Sequence, residues 1–156
     1  MVCGFIGHRD APSNVKQLLN VAIDALIERS VKKFYVGNNG NFDLYAQQVL
    51  EERKSQDESL NYGVLLSFPW EKALSGKQER TLYPEGLEKV PFRFAISKRN
   101  DFLLKNSDIM IVYLKDSFSN SYKWAEKARK TGKKIINLAD IQGELTISQN
   151  PLDKLK

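Results

Sequence analysis

Five apolar runs, at residues 2–6, 33–36, 62–68, 108–114 and 134–138, read as strands, and stretches of a different period separate them. The fourth run, DIMIVYL, is as apolar as a central parallel strand covered on both faces. After the first run, Leu18, Leu19, Ala22, Ile23, Leu26 and Ile27 return every three or four positions, the stripe of an amphipathic helix beginning near Val15. Pro12 suits the first turn of that helix, and Asp10 or Ser13 is placed to cap it. Phe42, Tyr45, Ala46, Val49 and Leu50 repeat the stripe after the second run, and residues 51–59 form its polar exit. Trp124, Ala125 and Ala128 mark a later helix that stops at Gly132.

Strands alternating with helices predict an α/β fold, because right-handed crossovers place helices on both faces of a parallel sheet. The expected architecture is a Rossmann-like three-layer sandwich whose mostly parallel five-stranded sheet has the order 3-2-1-4-5. That order sets the turns after strands one and four side by side at the switch point, where such sheets bind ligands. Residues 1–142 read as one domain and residues 143–156 as a loosely held polar tail. Residues 69–93 break the rhythm and have no clean period. A loop of that length is usually functional or disordered, and Trp70, Tyr83 and Phe92 argue against disorder. Both a lid or base-stacking wall and a packed excursion fit it.

Composition narrows the classes. With 156 residues, 42% of them hydrophobic and 28% charged, the chain can bury a core as one globular domain. No apolar run nears the roughly 20 residues of a membrane span, so no membrane partner is expected. The first residues lack the basic leader and length of a signal peptide, and Cys3 is the lone cysteine; both point to the cytoplasm. The formal net charge of +5 suits an anionic ligand, but Lys and Arg are dispersed along the sequence, which disfavours nucleic acid. One histidine and one cysteine argue against a zinc site, and no cofactor is indicated.

The residues able to carry chemistry cluster in the turns. Gly7, His8 and Arg9 follow the first strand; Gly37, Asn38, Asn39 and Gly40 follow the second, with Asp43 a turn further on. Glycine admits a close backbone approach to a ligand, and a helix start offers unpaired N–H groups to an anion. Asp43 fits either a first-turn carboxylate favoured by the helix dipole or a group holding ribose hydroxyls. Before the fourth strand, Ile96, Arg99, Asn100 and Leu103 share one helical face. Two polar residues on an inward stripe need partners or a wet cavity, so Arg99 is either a stem-buried side chain that snorkels to water or pairs with a carboxylate, or a pocket clamp for a phosphate or carboxylate. After the fourth strand, Ser119, Asn120 and Ser121 can cap a helix or bind phosphate. His8 can bind ligand, act as a base or hold its loop. Trp70 is a candidate stacking residue, and Glu126 and Asp116 are the candidate catalytic acids.

FIGHRD after strand one, GNNGNFDLYA after strand two, KRNDFLLKNSDIMIVYL at strand four and GKKIINL at strand five together resemble the YpsA-like branch of the SLOG superfamily. The resemblance covers most of residues 3–138. It implies a Rossmann-like fold that binds nucleotides or nucleotide-derived ligands, often as a homodimer. The superfamily also includes cytokinin-activating phosphoribohydrolases and the DNA-processing protein DprA. Gly37, Gly40 and Asp43 match its Gly-Gly-Ala-x-Gly-x-Asp pattern, with Asn38 and Asn39 as departures. The turn Ser119-Asn120-Ser121 lacks the glycines of a Gly-Gly-Thr turn. Arg99 matches the arginine of the phosphoribohydrolases, but the position of their glutamate falls on Trp124 and not on Glu126.

The leading expectation is a sensor or regulator that binds a small anionic, nucleotide-like ligand. One alternative is cleavage of an N-glycosidic bond, as in a phosphoribohydrolase or nucleoside deoxyribosyltransferase, with Glu126 or Asp116 at the anomeric carbon and Arg99 on phosphate. A second alternative is single-stranded DNA binding, as in DprA.

Overall fold

The structure, a computed structural model, describes residues 1–68, 80–115 and 120–141. A parallel sheet of six strands forms its middle layer: β1 (Val2–Gly7), β2 (Lys33–Val36), β3 (Asn61–Leu65), β4 (Thr81–Leu82), β5 (Ile109–Tyr113) and β6 (Lys134–Asn137), in the order β4-β3-β2-β1-β5-β6. The five strands read from the sequence keep their expected neighbours. Strand β4 is an addition at the edge beyond β3, made within residues 69–93. Two residues carry no period of their own; their strand character comes from pairing Thr81 and Leu82 with Val64 and Leu65. The third strand ends at Leu65 and not at Phe68.

Helices cover both faces. α1 (Val15–Glu28), α2 (Asn41–Gln56) and α5 (Leu138–Ile141) bury their apolar stripes on one side, together with Phe5, Phe34 and Val64. α3 (Ala95–Lys105) and α4 (Asn120–Lys130) pack on the other side over Ile6, Met110 and Val112. All five residues of β5 are buried, as a strand between two covered faces requires. No helix among the described residues is long and apolar enough to cross a membrane.

Helix α1 starts differently from the expectation. Asn14 is its N-cap, without a side-chain cap, and neither Asp10 nor Ser13 takes that role. The N–H groups of Val15, Lys16 and Gln17 donate instead to the carbonyls of Pro12, Ser13 and Asn14. A tight run of backbone turns thus satisfies donors that a cap would otherwise take.

The described part of the break in the rhythm runs from Arg80 to Phe94, and Leu82, Phe92 and Phe94 along it are exposed. Leu87 is buried, and two 3₁₀ turns, Leu87–Lys89 and Phe92–Phe94, lead into α3. Arg80 pins the start of this stretch to α2 by donating from Nε to Glu51 Oε2 at 2.9 Å. Tyr62 donates to the same carboxylate oxygen, and burial together with that carboxylate pushes the phenol pKa well up. Trp70 and the tail expected from residue 143 lie outside the described residues.

At the C-terminal end of α2, Asp57 accepts from Lys32 Nζ at 2.6 Å and from Ser59 Oγ and N–H, which lowers its pKa to about 2. A carboxyl depressed on folding stabilises fully above its ordinary value of 3.8, and that contribution is lost as the pH falls toward 2. Asp57→Asn is therefore expected to flatten the loss of stability between about pH 4 and pH 2. The pair is exposed, so the change at neutral pH should be small. Urea titrations across that window check it; an unchanged acid slope would contradict the assignment.

Candidate ligand site at the carboxyl edge of the sheet

Between β1 and β5 the strand order reverses direction, and the loops leaving both strands open onto the crevice at their carboxyl ends. The loops after β1 and β2 are joined there. Arg9 accepts the Asn41 N–H on its carbonyl at 2.8 Å, where the second loop enters α2. The loop after β1 is also tied to the end of β5. His8 donates its N–H to the Tyr113 carbonyl at 3.3 Å, and its Nε2 accepts the Lys115 N–H at 2.9 Å. An accepting Nε2 puts the proton of a neutral imidazole on Nδ1. His8 therefore holds two loops in register, the positional role among those open to it. Ser121, in the first turn of α4, completes the ring by donating from Oγ to the Gly7 carbonyl at 3.2 Å.

A second layer of buried polar groups fixes the turn after β2. Arg99 is only 6% exposed, as is Asp43. The Arg99 guanidinium donates from Nη1 to Asn39 Oδ1 and from Nη2 to Asn100 Oδ1 at 2.7 Å, and it faces Asp43 Oδ2 at 3.9 Å. Asp43 accepts the Asn39 N–H at 2.8 Å, and Ser67 donates to Asn39 Oδ1 at 3.3 Å. Gln47, fully buried, donates to the Gly37 carbonyl at 2.9 Å and to Asn38 Oδ1 at 3.0 Å. Of the two readings of Arg99, the geometry matches an arginine paired with protein groups and bracing the Gly37–Gly40 turn.

The glycines gain a different reason from the one their sequence suggested. A Cβ on Gly7 would lie 2.4 Å from the Phe42 ring, and one on Gly37 would lie 2.6 Å from both Arg99 Nη1 and Asp43 Oδ2. Gly40 has φ +110°, and a Cβ there would meet the Arg9 backbone at 2.6 Å. Each bare Cα is filled by the protein itself, so these glycines let the two loops and α2 close on one another.

Free positive charge sits at the rim. Arg9 and Lys115 are exposed, and neither forms an ion pair among the described residues. Lys115 Nζ lies 5.7 Å over the Tyr113 ring. The Tyr113 hydroxyl is buried without a hydrogen-bond partner among the described residues.

The structure thus brings Gly7, His8, Arg9, Gly37, Asn38, Asn39, Gly40, Asp43, Arg99, Asn100 and Ser121 to one end of the sheet. Asn120 opens α4 beside them. Glu126 is directed elsewhere: it pairs with Arg129 on α4, and no described contact links it to the cluster. Asp116 and Ser119, like Trp70, lie outside the described residues. Sequence reasoning missed Gln47, Ser67 and Asn137. Asn137 bridges both the N–H and the carbonyl of Leu114, at 3.1 Å each. Gln47 carried a legible signal, since it falls on the inward stripe of α2 at i+4 from Asp43. A scan against models of protein families finds none that matches the chain, and a search of curated protein sequences finds no match either.

Proposed function

We infer that the chain binds a nucleotide or nucleotide-derived small anion at the carboxyl edge of the sheet and serves as a sensor or regulator. The observation that carries this reading is the joining of the loops after β1, β2 and β5 into one polar cluster at the switch point, rimmed by two cations with no ion pair among the described residues. Arg9 and Lys115 meet the anion, and Arg99 with Gln47 positions the Gly37–Gly40 turn against it. The resemblance to YpsA-like SLOG proteins supports the same ligand class.

Thermal shift against nucleotides, cyclic nucleotides and ADP-ribose derivatives tests it. A ligand at 100 times its Kd stabilises the fold by about 2.7 kcal/mol, a readily measured rise in Tm. Arg9→Gln/Lys115→Gln should remove that rise with little change in the ligand-free Tm, because both side chains are exposed. No stabilisation by any member of the panel at millimolar concentration sinks the reading.

A further inference from the structure

Away from the loop cluster, on the flank of the sheet, a groove of about 440 Å³ runs between α3 and α4. Four lysines line it: Lys98 and Lys105 from α3, Lys127 from α4, and Lys133 ahead of β6. The single carboxylate in the lining, Asp101, is taken by Lys127, whose Nζ lies 2.8 Å from Oδ1. Lys98, Lys105 and Lys133 form no ion pair among the described residues. Residues 95–134, which hold both helices, contain ten Lys and Arg against four Asp and Glu, whereas residues 1–68 contain seven against eight. Four lysines dispersed along the sequence are thus gathered in space by the packing of α3 beside α4.

We propose that this groove binds the oligophosphate chain of a small ligand, at least three phosphates long. Three ammonium groups without an ion pair among the described residues, set around one small volume, call for adjoining negative charges, and a condensed phosphate chain supplies them at that density. Lysine presents point charges that follow such a chain without the planar match an arginine imposes. The volume falls within the range of about 300–1,000 Å³ typical of small-molecule sites. Among the described residues no aromatic ring is part of the groove's lining; Leu104 and Thr131 complete its wall, and the nearby Trp124 ring lies under Lys127 Nζ at 4.8 Å. The phosphate chain is therefore the recognised part, whether it is free or forms the tail of a nucleotide.

Calorimetric titration with sodium tripolyphosphate at low salt tests the assignment. Wild-type protein should bind it, with orthophosphate about tenfold weaker, and the affinity should fall as salt rises. Lys105→Gln/Lys133→Gln should lose about tenfold in affinity, whereas Lys16→Gln/Lys54→Gln on the opposite face should not. All the substituted side chains lie at the surface, so the variants should fold, and matching Tm values confirm it. Binding of ATP as well as tripolyphosphate at the groove identifies a nucleotide tail; tripolyphosphate without ATP identifies a free condensed phosphate. Absent binding overturns the proposal, as does equal loss in the Lys16/Lys54 control. A single-stranded oligonucleotide held by these lysines while tripolyphosphate is ignored overturns it too. The nucleotide thermal shift and its loss in Arg9→Gln/Lys115→Gln report on the loop cluster, and the Lys105/Lys133 variant reports on the groove, so either site can fail without the other.

Discussion

Arg99→Met is expected to destabilise the fold by about 3–5 kcal/mol, the range for removing one partner from a buried ion pair. Its guanidinium is the cation facing Asp43 inside the protein and the donor to Asn39 and Asn100. Methionine fills a similar volume but leaves a carboxylate 6% exposed without that cation, and two amide oxygens lose a charged donor. The cost is therefore electrostatic more than steric. Arg99→Lys keeps the charge and loses the forked geometry, so an intermediate loss is expected. The sharper test is the double variant Arg99→Met/Asp43→Asn. Neutralising the carboxylate should recover part of the loss, giving a coupling of about 1 kcal/mol or more in a urea-denaturation cycle. Additive effects within about 0.5 kcal/mol would show that the two side chains do not act as a unit. The turn they brace belongs to the proposed ligand site, so nucleotide binding should weaken in Arg99→Met and recover partly in the double variant.

Where one physical signal dominated, the sequence was a sufficient guide. The apolar runs became β1, β2, β3, β5 and β6 in the expected mutual order, because a strand covered on both faces has little freedom in composition. Strand β4 was invisible because its pairing with Val64 and Leu65, and no property of Thr81-Leu82, makes it a strand. The inward stripe of α3 was half right. Arg99, Asn100 and Leu103 are buried, but Ile96 in the first turn is exposed, while its neighbour Ala95 is the residue of that turn turned inward. The loop glycines show the harder limit. Glycine in a strand-to-helix turn looks the same in sequence whether its bare Cα faces a ligand or a neighbouring side chain, and here Phe42, Arg99, Asp43 and Arg9 occupy those faces. The charge pattern was opaque for a related reason: lysines far apart in the chain become neighbours only after α3 and α4 pack on the same face.

Gly7→Ala tests how that close packing builds the site, and a loss of about 1–3 kcal/mol is expected, the usual cost of overpacking a filled core. The added methyl would sit 2.4–2.7 Å from three atoms of the Phe42 ring. That ring is fully buried in the first turn of α2, so it cannot swing aside as an exposed side chain would. Either the ring leaves its rotamer or the start of α2 backs away from β1. The second response would also stretch the Arg9–Asn41 hydrogen bond that joins the two loops. Phe42→Leu should relieve the clash, making Gly7→Ala/Phe42→Leu less destabilised than the sum of the single variants. Gly86→Ala is the control for backbone conformation alone: its φ is +83° with nothing within 4 Å, so only the left-handed penalty of about 1–2 kcal/mol applies. The two substitutions should also separate in function, since only Gly7→Ala disturbs the spacing between the loops after β1 and β2. A Gly7→Ala protein as stable as wild type, with no coupling to Phe42, would mean that this contact does not set that spacing.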